Sequence, residues 1–96
     1  MGDTFDGEVR LLRTDEGGRE TPLLTGYRSL VRVGAESEPM WGVEITFDAP
    51  PSIAPGASAI VHFRRWAQDE EDATPPPGTP LFVYEGNQLV GTGKVR

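Results

Sequence analysis

The alternation of apolar and polar side chains between residues 40 and 47 is the feature that most narrows what this chain can fold into. Apolar residues occupy every second position of this segment, at Trp41, Val43, Ile45 and Phe47. A period of two is typical of a strand with one buried face, whereas helices repeat about every 3.6 residues. No apolar stripe at helical spacing persists for two turns between turn residues. The sequence therefore predicts an all-β protein.

Further stretches of strand-like character are separated by turns that contain glycine or proline. We predict six strands, at residues Thr4–Arg13, Tyr27–Val33, Glu38–Phe47, Ala57–Trp66, Pro80–Glu85 and Gln88–Val95. Short strands joined by tight turns favour a six-stranded closed antiparallel β-barrel, because closure leaves no sheet edge exposed.

The last two strands read as a hairpin closed by Gly86-Asn87, a pair suited to positive φ. Within the final strand, Val90 and Thr92 are predicted to share one face, with Leu89 and the glycines at 91 and 93 on the other. Two glycines on one face would let the strand bend or let another backbone approach closely.

Length and composition limit the organisation of the chain. Ninety-six residues, with 12 glycines and 9 prolines, fit one small barrel domain over residues 1–96. The polar connection at residues 68–79, acidic and then proline-rich, is predicted to be its most mobile segment. No apolar run reaches membrane-spanning length, the N-terminus is acidic, and cysteine is absent, so we expect a cytoplasmic protein without disulfides.

A search for catalytic chemistry finds little. His62 is the only histidine and falls on the outward face of its strand, with no nucleophile or metal-ligand companions signalled. The run Asp69–Asp72 lacks the alternating oxygen spacing of a calcium loop. No phosphate-binding loop is present, and Lys94 is the only lysine. We expect no enzyme activity, no cofactor, no metal and no bound nucleotide.

Arginine supplies every basic side chain except Lys94, within a net charge of −6 that disfavours nucleic-acid binding. Arg28 and Arg32 share a strand face, and Arg10 is predicted to neighbour them. These arginines have two readings. One is cross-strand pairing with carboxylates on a solvated barrel wall, at Glu8, Glu44 or Asp48. The other is a stripe that binds RNA.

The stretch between the first two predicted strands carries the most specific pattern. Gly17-Gly18 permits backbone conformations that other residues resist, and Pro22 holds Thr21 extended so that the chain leaves the loop strand-like. Charged side chains surround the glycines, including Arg19. The sequence predicts an ordered, charged connection.

This stretch resembles the start of the C-terminal β-barrel of elongation factor Tu, the third domain of that translation GTPase. An acidic residue, Gly-Gly-Arg, x-Thr-Pro, two apolar residues, x and Gly-Tyr-Arg follow one another there as they do from Asp15 to Arg28. Other segments resemble the same domain, namely Phe5–Val9, Ala54–Gly56 and Glu85–Gly93.

The resemblance implies a barrel that is not catalytic, that packs on a GTPase domain, and that contacts the T-stem of aminoacyl-tRNA and a nucleotide exchange factor. Arg19 matches an arginine near the tRNA backbone, and Glu85-Gly86 matches positions near the T-stem. At three partner-facing positions this sequence differs from the elongation factor domain that it resembles. Glu20 replaces a histidine, Leu30 replaces a glutamine and Gln88 replaces an arginine. The pattern indicates a retained scaffold with an altered surface.

Two functional hypotheses follow. The first is a non-catalytic binding module that docks a protein partner connected with translation, through Gly17, Gly18, Arg19, Arg28, Glu85 and Gly86. The alternative is binding of tRNA or another structured RNA through Arg19, Arg28 and Arg32. The GTPase domain and middle barrel of the elongation factor have no counterpart in this sequence. Met1 and the acidic start favour a free-standing relative, with a piece of a longer protein as the alternative.

Overall fold

A computed structural model describes residues 4–34, 40–48, 51–65 and 75–96. It contains eight strands and one short 3-10 helix in these ranges. The strands are β1 (Thr4–Leu11), β2 (Leu23–Leu24), β3 (Tyr27–Val33), β4 (Met40–Thr46), β5 (Ser52–Ile53), β6 (Ser58–Arg65), β7 (Pro80–Glu85) and β8 (Gln88–Val95), and the 3-10 helix is Thr14–Glu16. The predictions made for Glu38, Trp66 and the run Asp69–Asp72 lie outside the described residues.

The six longer strands close into an antiparallel barrel in the order β1-β6-β4-β3-β7-β8, with β8 returning to β1. The prediction of an all-β, six-stranded closed antiparallel barrel is confirmed. Inward side chains alternate along β4 and β6 as expected, with Val43 and Ile45 buried on β4 and Val61 and Phe63 buried on β6. Stacking of the Phe5 ring on the Phe63 ring, with centroids 4.9 Å apart, joins β1 to β6 across the core.

A second, two-stranded sheet joins β2 to β5, and the sequence patterns did not predict it. Leu23 lies opposite Ile53, and both side chains are almost fully buried in the barrel core. Each strand has only two residues within a segment read as a loop, so no alternation was available to reveal it.

The first strand is shorter than predicted, since β1 ends at Leu11 rather than Arg13. The Glu16 side chain accepts a hydrogen bond of 2.7 Å from the Arg13 backbone N–H, while the Glu16 backbone N–H donates to the Arg13 carbonyl at 2.8 Å. These two bonds turn the chain into the 3-10 helix. The hydrogen bond from the Arg13 N–H, followed by one from the Arg10 side chain, lowers the pKa of Glu16.

The prediction that Val90 and Thr92 share a face is wrong. The β7–β8 register changes between Val83 and Tyr84: Val83 pairs with Gly91, but Tyr84 pairs with Leu89. Val90 is therefore the extra residue of a β-bulge, and it is fully buried whereas Thr92 is partly exposed. A bulge cannot be predicted from the alternation of apolar and polar residues, because the extra residue interrupts that alternation.

The predicted close approach at the final strand is present. A Cβ on Gly93 would lie 2.9 Å from the Glu8 carbonyl carbon and from the Val9 Cα, so β8 lies against β1 more closely than a side chain allows. At the β7–β8 turn, Gly86 has φ +61°, but Asn87 does not take the positive φ that the pair suggested. Among the described residues, no helix is long and apolar enough to cross a membrane.

Candidate partner-binding site

The loop from Leu12 to Pro22 is ordered by its two glycines, each for a different reason. Gly17 ends the 3-10 helix with φ +91°, a conformation that a Cβ disfavours. Gly18 is limited by space instead, because a Cβ there would lie 2.8 Å from the Leu12 carbonyl carbon and 2.9 Å from the Arg13 carbonyl oxygen. The glycine pair folds the loop back onto its own beginning.

Arg19 extends from this loop and is held along its whole guanidinium group. Its Nε donates to the Thr21 carbonyl at 3.1 Å, and one Nη donates to the Thr21 hydroxyl at 3.2 Å. The other Nη forms an ion pair with Glu85 on β7, and only 16% of the Arg19 side chain is exposed. Arg19 therefore ties the loop to the barrel, and a phosphate would have to displace Glu85 to reach it.

Tyr27 completes a three-residue cluster with Arg19 and Glu85. Its hydroxyl donates a 2.6 Å hydrogen bond to the same Glu85 oxygen that receives Arg19. The Arg19 guanidinium carbon also lies 4.9 Å from the centroid of the Tyr27 ring, within cation–π range. The cluster links three parts of the chain that are remote in sequence.

Gln88 makes a second connection between the loop and the β7–β8 hairpin. Its side-chain amide donates to the Gly17 carbonyl at 2.6 Å, with a longer approach to the Gly18 carbonyl at 3.4 Å. Residues 17–20 and 85–88 therefore form one continuous surface, to which Tyr27 and Arg28 are adjacent. We refer to residues 17–20, 27–28 and 85–88 as the loop–hairpin surface.

A cleft of about 250 Å³ opens beside this surface, between the start of β3 and the end of β7. Pairing of β3 with β7 begins at Leu30 and Tyr84, so the residues of β3 before Leu30 have no partner in the β7 ladder. The bulge at Val90 of β8 lies opposite Val83 and Tyr84, next to the point at which β3 and β7 separate. The cleft is lined by Tyr27, Arg28, Ser29, Leu30, Tyr84, Glu85 and Gly86.

A second hollow of about 240 Å³ lies on the other side of the Arg19–Glu85 pair, between the loop and Gln88. Its lining includes Glu20 and Thr21. The ion pair thus separates two depressions on one face of the barrel. All six residues predicted to bind a partner lie on this face, since Gly18, Arg19 and Glu85 line the second hollow, Arg28 and Gly86 line the first, and Gly17 accepts from Gln88.

The predicted arginine stripe does not form as expected. Arg10 lies on β1, which is three strands from β3 in either direction around the barrel, so its predicted proximity to Arg28 and Arg32 is wrong. The helical turn after β1 gives Arg10 a different partner, Glu16, at 3.3 Å. The reading of cross-strand pairing applies to Glu44, which accepts a 2.7 Å hydrogen bond from Arg64.

His62 lies on the outer face, as predicted, and it has one close carboxylate partner. Its Nδ1 lies 2.7 Å from Asp6 directly across on β1, and its Nε2 lies 3.9 Å from Asp48. The hydrogen bond with Asp6 raises the pKa of His62. Within the described ranges, no group of three His, Asp or Glu side chains is arranged to hold a metal ion.

Sequence reasoning missed two contributors to the loop–hairpin surface, the Tyr27 hydroxyl and the Gln88 amide. In the sequence, Tyr27 is only the first residue of a predicted strand, and Gln88 is only the replacement of a partner-facing arginine. No local pattern could have found their contacts, because they join residues 58 and 71 positions apart. No protein-family model matches this chain.

Proposed function

We propose that this protein is a non-catalytic, cytoplasmic binding module, similar to the C-terminal barrel of elongation factor Tu, that docks a protein partner of the translation machinery. The partner binds at the loop–hairpin surface. The observation that carries the proposal is the convergence of Gly17, Arg19, Glu85 and Gln88 from two remote segments onto one braced surface. The resemblance of these segments to the elongation factor, stated above, supplies the connection with translation.

The burial of Arg19 and its ion pair with Glu85 favour a protein partner over RNA. Phosphate binding needs arginines that can exchange water for phosphate, but Arg19 is largely buried and ion-paired to Glu85. Glu20, exposed beside it, adds a negative charge to the surface that RNA would have to approach. A braced, shaped surface suits recognition of another protein.

The proposal is tested by affinity capture from a cell lysate at low and moderate salt, with the captured components identified by mass spectrometry. We expect a translation factor to be recovered by the wild-type protein and lost with Arg28→Glu, which reverses an exposed charge beside the cleft. The matched control is Lys94→Glu on β8, which reverses an exposed charge away from the cleft and should retain the factor. Capture of no translation component, or equal loss with both variants, would contradict the proposal.

RNA binding is distinguished in the same experiment by its salt dependence. A complex held by phosphate contacts loses affinity steeply as salt rises, and nuclease treatment removes it. Recovery of the factor in the presence of nuclease supports direct protein docking. Recovery of tRNA alone would replace the proposal with the RNA alternative.

A further inference from the structure

One row of side chains on the outer wall of the barrel has a symmetrical order of chemical types. Its four members belong to β7, β8, β1 and β6, lie opposite one another in the strand registers, and are all exposed: Pro80, Lys94, Glu8 and Ile60. Along the row, the side chains are apolar, positive, negative and apolar. We refer to these four residues as the Pro80–Ile60 row.

The two charges at the centre of this row are not used within the barrel. Glu8 and Lys94 lie directly opposite each other, but no hydrogen bond or ion pair joins the side chain of either to another residue in the described ranges. A neighbouring pair on the same wall behaves differently, since Arg64 donates to Glu44 at 2.7 Å. The side chains of Glu8 and Lys94 can therefore pair with charges on another molecule.

The two ends of the row are apolar and open to solvent. Ile60 is 46% exposed, and with Leu24 and Leu30 it is one of three large hydrophobic residues that are exposed in the part of the chain that the structure describes. Pro80 is exposed at the start of β7. A charged centre between two apolar ends offers both burial and pairing to a surface of matching order.

A second copy of this chain has that matching order. A two-fold axis that passes between Glu8 and Lys94, perpendicular to the wall, reverses the direction of the row. It places Glu8 of each copy over Lys94 of the other, and Ile60 of each copy over Pro80 of the other. Such reciprocal contacts define an isologous dimer, the commonest form of oligomer.

The course of the row over the barrel suits a contact between two copies. The strands of a closed barrel are tilted against its axis, so a row that crosses four strands runs obliquely over the wall. It is therefore flatter than a path straight around the barrel, which lets the ends of the row approach a facing row together with its centre.

We propose that this protein forms a two-fold symmetric homodimer through the Pro80–Ile60 row. The inference goes beyond the proposed function and does not depend on it. Pro80 and Lys94 lie at the open end of the β7–β8 hairpin, whereas residues 85–88 lie at its closed end. The dimer therefore leaves the loop–hairpin surface of each copy accessible to a partner.

A small molecule fits this wall less well than a second copy does. A hollow of about 300 Å³ lies beside the centre of the row, and its lining is Glu8, Arg10, Ser58, Thr92, Gly93 and Lys94. Small-molecule sites are mostly apolar and bury most of the ligand surface, whereas this lining is polar and charged and lies on the outer wall.

The dimer is expected to be weak. A contact centred on four side chains buries less than the about 800 Å² per partner of a standard interface. Exposed ion pairs also contribute little individually. We therefore expect a dissociation constant of about 0.1–1 mM.

Sedimentation equilibrium of the full chain measures this self-association. Salt of about 0.15 M screens charges more than about 8 Å apart, which limits the general repulsion between two copies that each carry a net charge of −6. We expect the mean mass to rise from 10.4 kDa toward twice that value as the protein concentration rises from about 10 µM to about 2 mM.

Charge reversal in the centre of the row tests the two-fold arrangement. Glu8→Lys leaves two positive charges there and Lys94→Glu leaves two negative charges, so each variant alone should associate at least about tenfold more weakly than the wild type. An equimolar mixture of the two variants should form a heterodimer, because each positive centre then faces a negative one. Asp15→Lys is the matched control: it changes the net charge as Glu8→Lys does, at a side chain that is 74% exposed, and should leave the association unchanged.

The apolar ends of the row have their own matched pair of variants. Ile60→Ser should weaken the association about fivefold, whereas Leu30→Ser, at an exposed aliphatic residue on β3, should change it less than about twofold. Circular dichroism confirms that each variant is folded.

A wild-type mass that stays at 10.4 kDa up to about 2 mM would overturn the inference, as would a mixture of the charge variants that remains monomeric. An equal loss of association with Asp15→Lys would overturn it too, by assigning the effect to net charge. If the dimer fails while wild type and Lys94→Glu both capture a translation factor, the docking function stands and only this inference falls. If the mixed variants dimerise and no factor is captured, the dimer stands and the docking function falls.

Discussion

The hydroxyl of Tyr27 and the guanidinium group of Arg19 share one oxygen of Glu85, across 58 and 66 positions of sequence. The Tyr27–Glu85 bond is 2.6 Å long and partly buried. The Glu85 carboxylate at the end of β7 is therefore bound by the loop after β1, through Arg19, and by the start of β3, through Tyr27. The shape of the loop–hairpin surface depends on that carboxylate.

Removing the charge of Glu85 should destabilise the protein more than removing its hydroxyl partner. Glu85→Gln leaves a largely buried guanidinium without its counter-charge and should lower the free energy of unfolding by about 2–3 kcal/mol. Tyr27→Phe removes one hydrogen bond and should lower it by about 1 kcal/mol. Urea denaturation followed by circular dichroism measures both.

The control for the Glu85 prediction is the exposed ion pair between Arg13 and Asp15, whose side chains are 62% and 74% exposed. Asp15→Asn should change the free energy of unfolding by less than about 0.5 kcal/mol, because exposed pairs contribute little. Equal effects of Glu85→Gln and Asp15→Asn would show that the buried cluster does not brace the loop.

The two loop glycines should respond differently to asparagine. Gly17→Ala strains a backbone at φ +91° and should cost about 1–2 kcal/mol, and Gly17→Asn should recover part of that cost because asparagine tolerates positive φ. Gly18→Ala and Gly18→Asn should be equally harmful, since any Cβ there meets the Leu12 carbonyl group. Thermal unfolding of the four variants checks the pattern, and recovery by Gly18→Asn would contradict it.

Stability should decline as pH rises through the pKa of His62. The hydrogen bond with Asp6 raises that pKa above 6.5, so the protonated imidazole favours the folded state. The contribution is complete below the unfolded pKa and is lost as pH rises through the higher folded pKa. Because His62 is the only histidine, its titration can be followed directly by NMR.

The groups that face His62 are Asp6 on β1, Thr46 on β4 and Asp48 just after β4. Asp6→Asn should lower the pKa of His62 toward its ordinary value and flatten the stability profile near neutral pH. An unchanged pKa in that variant would show that Asp6 does not hold the imidazolium. Arg10→Ala, at a different place on β1, should leave the titration unchanged.

Truncation of an exposed leucine, Leu30, should affect stability much less than truncation of a core leucine, Leu81. Leu30→Ala removes an outward, exposed side chain and should change the free energy of unfolding by less than about 0.5 kcal/mol. Leu81→Ala removes a fully buried one and should cost about 2–5 kcal/mol. Equal losses in urea denaturation would mean that Leu30 is part of the core and cannot serve as a docking wall.

The barrel could be predicted from sequence because each long strand carries its own alternation. The inward residues of β4 and β6 follow period two without interruption, so the burial of Val43 and Phe63 needed no knowledge of their neighbours. The β2–β5 sheet and the bulge at Val90 could not be predicted, since one is too short to show a period and the other interrupts it.

The sequence indicates Arg19 and Glu85 as candidate residues of this surface, but it does not indicate Tyr27 and Gln88 or the contacts that join all four. The resemblance to the elongation factor indicates Arg19 and Glu85 separately, whereas the ion pair between them joins residues 66 positions apart. The cleft beside Arg28 forms where the start of β3 and the end of β7, which are also remote in sequence, lie together. Both follow from strand pairing across the barrel, which no local pattern encodes.

The central claim, docking of a protein through the loop–hairpin surface, is tested most directly by amide chemical-shift mapping of the ¹⁵N-labelled protein. The protein is titrated separately with the purified GTPase domain of elongation factor Tu, with its nucleotide exchange factor and with tRNA. We predict shifts at residues 17–20, 27–30 and 84–88 with a protein partner and none of comparable size with tRNA. Shifts with tRNA alone, or shifts confined to the wall around Glu8 and Ile60, would contradict the claim.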